Sequence, residues 1–153
     1  MRTIQHNSFY TVLVASLLIA GCSQVKPVAP VASVSERLAK VWTASKVVEG
    51  AATVYTKGGA GSNAKPNYDK FRLDLTSPST VKYTEFDGNT FTGTWSATDT
   101  RLVLTGLLPI PTGTGGLIEF TIGPLTDTQL ELTRLTVSDK TGGTINKYTL
   151  SNP

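Results

Sequence analysis

The stretch TVKYTEFDGNTFTGTWSA, Thr80 to Ala97, decides the fold class. Its period is two: Val81 and Tyr83 share one face, and after a break Phe91, Gly93, Trp95 and Ala97 alternate with Thr90, Thr92, Thr94 and Ser96. Successive strand side chains point to opposite faces, so such alternation marks half-buried β-strands. Between the two runs lies Asp87-Gly88, a pair that reaches the positive φ of a tight hairpin turn at little cost. The stretch predicts two antiparallel strands joined by that turn. Gly93, set between two aromatics on the apolar face, predicts a close approach by a neighbouring chain.

The same period recurs on both sides. In KFRLDLT, Phe71, Leu73 and Leu75 alternate with charged and hydroxyl residues. RLVLT places Leu102 and Leu104 inward, LIEFTIG places Ile118, Phe120 and Ile122, QLELTRL places Leu130 and Leu132, and INKYTL places Tyr148 and Leu150. With AKVWTASKVV and ATVYT near the start, these make eight or nine short strands. SERLAK predicts a short helical turn ahead of them, with Ser35 as its cap. Turn chemistry in TSPS, ATDT, LTDT and SDKTGG keeps most connections short, which makes sequence neighbours antiparallel neighbours. An antiparallel up-and-down meander of that many strands protects its edges by closing into a barrel or by folding into a sandwich. The expected class is therefore all-β, a barrel of about eight strands, with a β-sandwich as the alternative.

Two segments break the rhythm. Residues 57–67, KGGAGSNAKPN, read as a Gly-rich loop. Residues 106–116, GLLPIPTGTGG, carry Leu107, Leu108 and Ile110 where a loop is ordinarily polar. Those side chains either fold back as a plug on the core or form a hydrophobic lip at a pocket mouth or partner patch.

The chain begins with a weakly basic segment, one apolar run of secretory length, and small residues ahead of a cysteine, Ile19-Ala20-Gly21-Cys22. This run is too short and too interrupted by Ser8, Thr11 and Ser16 to span a bilayer. The arrangement resembles a bacterial lipoprotein processing site, which implies cleavage before Cys22 and a diacylglycerol on its thiol. Two acyl chains convert reversible adsorption into stable membrane anchoring. Ser23, in place of the aspartate that marks inner-membrane retention in enterobacteria, favours the outer membrane. The expected organisation is a signal peptide over 1–21, a lipidated Cys22 with a Pro/Ala/Val-rich tether over 22–35, and one domain over 36–153.

Beyond the cysteine, Trp42 in the first strand with Gly50 after it, FRLDL, the GTW of Gly93-Thr94-Trp95, RLVL, LELT and a final YTL are similar to small bacterial lipocalin-like lipoproteins, a family common in Bacteroidota. The resemblance implies an up-and-down barrel, with an interior cavity in some members. Two features depart from lipocalins proper: Lys40 stands where they have a glycine two residues before the first-strand tryptophan, and their later arginine motif has no clear counterpart.

The missing chemistry narrows the function. Residues 22–153 contain no histidine and no methionine, and lipidation caps their single cysteine. Ser-His-Asp and Cys-His nucleophilic systems and zinc, copper or haem sites need side chains of those types. No catalytic residue, metal ligand or cofactor is assigned. Carboxylate chemistry survives as a hydrolase using paired acids, or as a calcium site at Glu85, Asp87, Asn89 and Asp99, although EFDGN reads first as a hairpin turn. The net charge of +3 over the whole chain falls by one with Arg2, too little and too scattered for nucleic acid. The candidate ligand-lining residues are Trp42, Tyr83, Phe91, Trp95, Leu107, Leu108 and Ile110. The expected function is non-enzymatic binding of an apolar or amphipathic small molecule by a membrane-anchored protein. The alternative is an envelope interaction module that docks through GLLPIP.

Overall fold

The computed structural model describes residues 31–153 apart from residue 60. The signal segment, Cys22 and most of the tether lie outside the described residues. A short helix α1 (Val34–Leu38) precedes nine strands: β1 (Val41–Glu49), β2 (Ala52–Thr56), β3 (Arg72–Asp74), β4 (Thr80–Thr84), β5 (Thr90–Ala97), β6 (Arg101–Leu108), β7 (Ile118–Leu125), β8 (Gln129–Arg134) and β9 (Asn146–Ser151). From β3 to β9 each strand pairs with the next, and β1 pairs with both β3 and β9. These pairings close an eight-stranded antiparallel barrel and decide between barrel and sandwich. β2 is the additional strand: it folds back on the second half of β1, Lys46 to Glu49, along the edge whose first half, Val41 to Thr43, is taken by β3.

Eight strands enclose an interior just wide enough for side chains to fill, and here they fill it. Leu73, Val81, Leu102, Leu104, Ile118, Phe120, Leu130, Leu132 and Leu150 are all fully buried, each on the face its alternation predicts. Around Tyr148 the aromatic rings touch: Phe71 stacks on it at 4.9 Å between centroids, and Phe120 and Tyr68 meet it edge-on at 6.1 and 6.4 Å.

The register gives the barrel two distinct ends. At one end, called the base, lie the start of β1 and the β3–β4, β5–β6 and β7–β8 turns. There α1 acts as a plug. Its N-cap is Ser33, whose hydroxyl accepts from the Glu36 N–H while the Glu36 carboxylate reaches back to the Ser33 N–H, so the cap lies two residues earlier than Ser35. Leu38 is buried, and its carbonyl accepts from Trp42 Nε1 at 2.9 Å. Arg37 and Lys40 donate to the carbonyls of Leu125 and Asp127, tying the helix to the β7–β8 turn.

The hairpin read from the opening stretch is present. Val81 faces Gly93 and Tyr83 faces Phe91, and the turn closes with Gly88 at φ 87°. Gly93 has the expected close neighbour: a Cβ there would lie 2.5 Å from the Thr105 carbonyl, where β6 bulges and the register with β5 shifts. The segment from Gly106 is not wholly a loop, since β6 runs on to Leu108.

Candidate ligand-binding end of the barrel

The end opposite α1, the top, is built from the end of β1, the β4–β5 turn, the β6–β7 loop, the β8–β9 connection and a 3-10 turn, Pro66–Lys70. Strand alternation carries an inward polar layer here. On β8 the inward series Leu130, Leu132 continues to Arg134, and on β9 the series Leu150, Tyr148 continues to Asn146. On β1 the final inward residue is Glu49, and Glu85 follows β4 just past Tyr83. Glu49, Glu85, Arg134 and Asn146 are all buried.

A buried charge is costly unless paired and hydrogen-bonded. Glu49 meets that condition: Lys65 Nζ lies 2.9 and 2.7 Å from its two carboxylate oxygens, and the Tyr68 hydroxyl donates to Oε1 at 2.7 Å. Glu85 is met by the Lys140 ammonium, although its Oε2 accepts no hydrogen bond of normal geometry. Lys140 also donates to Asp87 at 2.7 Å and stands over the Phe91 ring, 5.5 Å from its centroid. This one cation, carried on the 3-10 turn Asp139–Thr141, fastens the β8–β9 connection across to the β4–β5 turn. The top is therefore closed by a strap, residues 135–145, tied down at Lys140.

These contacts shift the titrating groups. Desolvation works to raise Asp87, but the hydrogen bonds from Lys140 and the Asn89 N–H, with the Lys140 charge, outweigh it and hold the carboxyl below its ordinary value. Desolvation likewise works to lower Lys140, and its bonds to Asp87 and Glu85 overcome it and hold the ammonium above its ordinary value. Burial pushes the Tyr148 phenol up to about 12, against the lowering effects of the Asn146 bond and the Arg134 charge. Burial raises Tyr83 well above the ordinary range, again opposed by Arg134, and burial is also the leading cause of the rise at Tyr68. All three phenols hold their protons at neutral pH.

Arg134 stands apart. It is 4% exposed, its Nε has no hydrogen-bond partner, and among the described residues it forms no ion pair.

The seven sequence-level candidates do not form one site. Tyr83 and Phe91 sit together toward the top, 6.0 Å between ring centroids, and Leu107 is buried against the same interior. Trp42 belongs to the base. Trp95 is also there, donating to the Ser77 carbonyl at 2.8 Å and lining a shallow open groove of about 160 Å³ with Ser35, Glu36, Ala39 and Pro78. Leu108 and Ile110 point out, 64% and 62% exposed, so GLLPIP supplies both a plug at Leu107 and a lip beyond it. The lip is wider than that segment: Leu117, Leu135, Val137 and Ile145 are exposed on the same end, leaving Val31 as the other large exposed apolar residue among those described. Glu85 and Asp87 spend their charge on Lys140, and the Asp87 side chain takes the Asn89 N–H as a hairpin-turn contact. Arg134 and Asn146 were missed, yet extending the alternation of QLELTRL by two residues places a cation on a core face.

A closed antiparallel up-and-down barrel plugged at one end by an N-terminal helix defines the architecture. Among solved structures, the chain is similar to a lipocalin-like protein from Bacteroides uniformis, with a TM-score of 0.51 and 15% identity over 76% of this chain and 99% of that one. The protein carries a lipocalin-like domain, and at that identity the likeness concerns the fold. No protein-family model and no curated protein matches the sequence.

Proposed function

We propose that the protein is a lipid-anchored, non-enzymatic binding protein of the cell envelope that takes an amphipathic small molecule at the top of its barrel. The observation that carries this reading is the chemistry of that end, where a buried polar layer lies under a strap and the exposed apolar side chains gather outside it. A polar head and an apolar body find partners there within a few residues of each other. The interior is filled in the closed form, so uptake requires movement of residues 135–145 and of the side chains beneath. Anchoring rests on the Cys22 motif, with the outer membrane as the expected site. Mass spectrometry of the protein isolated from its host envelope tests both parts. A chain that begins at acylated Cys22 and retains a small molecule under native conditions is expected. An unmodified Cys22 overturns the anchor, and an empty chain in native spectra from untreated membranes counts against the cargo.

A further inference from the structure

Of the seven large apolar side chains exposed among the described residues, six stand at the top: Leu108, Ile110, Leu117, Leu135, Val137 and Ile145. They belong to two segments that pack together, the β6–β7 loop and the strap, since a Cβ on Gly113 would run into the Asp139 carboxylate. Residues 106–118 carry no charge, and residues 135–146 carry only Asp139 and Lys140, the latter held by Glu85 and Asp87. The backbone of both segments also finds partners within itself. Pro109 and Pro111 have no N–H to offer, the N–H groups of Thr114 and Leu117 donate to the carbonyls of Pro111 and Thr114, and the Gly116 N–H donates to the Thr114 hydroxyl. In the strap, the Ser138 N–H donates to the Thr144 carbonyl, and those of Gly142 and Gly143 donate back to Asp139 and Ser138. An uncharged aliphatic surface whose peptide groups are paired in this way loses little when water leaves it, which is the condition for entering hydrocarbon.

We propose that the top of the barrel docks on a lipid bilayer, with Leu108, Ile110, Leu135 and Val137 entering the boundary between headgroups and acyl chains. The proposal rests on the anchor at Cys22 and adds the surface that the barrel itself touches. Composition selects lipid over protein, because protein-binding patches are led by Tyr, Trp, Met and Arg, whereas the large side chains exposed here are Leu, Ile and Val. Chain length permits the contact. Val31 leads into α1 at the base, and the nine residues from Cys22 to Pro30 reach about 28 Å when extended in a polyproline-like form. Strand β6, eight residues at about 3.3 Å each, climbs about 20 Å from base to top at the tilt of an eight-stranded barrel. The apolar end therefore lies within reach of the surface that holds the acyl chains. An anchor also removes the need for strong docking, because it keeps the lip at a high effective concentration beside the bilayer.

The test reconstitutes the acylated protein, isolated from its host envelope, in phosphatidylcholine vesicles and reads an environment-sensitive fluorophore placed at Ile110→Cys, at Val137→Cys or, as the control, at Asp99→Cys in the β5–β6 turn at the base. With Cys22 acylated, the introduced thiol is the one that takes the label. Labels at 110 and 137 are expected to shift to the blue and to be quenched by doxyl-labelled lipid, at low and high salt alike and without anionic lipid, since no free charge takes part. The label at 99 stays in water. Leu108→Ser combined with Ile110→Ser, two exposed positions, weakens docking at least about tenfold and returns the label at 137 toward water, while the anchor keeps the protein on the vesicles. A label at 110 that stays in water on vesicle-bound protein overturns the docking and leaves the anchor standing. Protein that leaves the vesicles overturns both. Quenching at 137 unchanged by the two serines overturns the role of the lip, and quenching that needs anionic lipid and vanishes in high salt overturns its apolar origin. A blue shift that doxyl-labelled lipid fails to quench and that grows with protein density on the vesicle assigns the lip to a second copy of the chain and overturns the choice of lipid.

Discussion

Replacing Lys140 with methionine removes the one cation that joins the strap to the β4–β5 turn. Its two partners contribute unequally. The Asp87 side chain is 33% exposed, and a pair of that kind contributes about 0.5 kcal/mol after solvent screening. Glu85 is 6% exposed and Lys140 16%, so the variant leaves a buried acid without its cation. Such a loss costs about 3–5 kcal/mol in a dry interior, and the partial exposure of Lys140 brings the expected total to about 2–3 kcal/mol. The pH dependence has a definite sign. Asp87 is held below its ordinary 3.8, so its contribution is complete above that value and disappears as pH falls through the depressed one. Lys140 is held above its ordinary 10.5, so its contribution is complete below that value and disappears as pH rises through the elevated one. The stabilisation that the Asp87–Lys140 pair gives the parent should be level from about pH 5 to about pH 10 and shrink outside that window. Urea unfolding across pH measures it, and Lys140→Met with Glu85→Gln should recover most of the loss because the stranded charge is gone. A single-variant loss below about 0.5 kcal/mol, in the range of an ordinary surface pair, refutes the tie. A double variant no more stable than the single one refutes its electrostatic origin.

Two further substitutions probe the frame of the barrel. Gly93→Ala places a Cβ 2.5 Å from the Thr105 carbonyl, a backbone atom that cannot swing aside, so a loss of about 1–3 kcal/mol in thermal or urea unfolding is expected; an unchanged midpoint shows that β5 and β6 part easily. Tyr68→Phe removes one of the groups bonded to Glu49 while Lys65 remains, and should cost about 1–2 kcal/mol, checked by the same unfolding measurement.

The strands were legible because a two-sided sheet writes burial into alternation. Every inward residue named from RLVLT, LIEFTIG, QLELTRL and INKYTL is buried. The glycine on the apolar face of TFTGTWS was equally readable, since a side chain missing between two aromatics has few uses other than close approach. Helix α1 was found but capped two residues too late, because Ser33 and Ser35 are both acceptable caps and the reciprocal bond from Glu36 distinguishes them. The candidate site was less legible. Aromatic residues marked the interior but not which end of it, so Trp42 and Trp95 were grouped with Tyr83 and Phe91 although they occupy the base. The run at Leu107, Leu108 and Ile110 was recognised as unusual, and only the strand register sorted its inward member from the outward ones.

The sequence by itself determined the antiparallel all-β class, the faces of the strands, the tight turn at Asp87-Gly88 and the absence from residues 22–153 of histidine and of any cysteine besides Cys22. These are local properties, set by side-chain period, by the φ that glycine allows and by composition. Only the tertiary structure decided that the sheet closes through β1 and β9, that Lys140 reaches Glu85 and Asp87 across more than fifty residues of chain, and that the Arg134 Nε lies buried without a hydrogen-bond partner. Closure and pairing depend on which distant residues meet, and whether a buried charge is satisfied is a property of its neighbours in space.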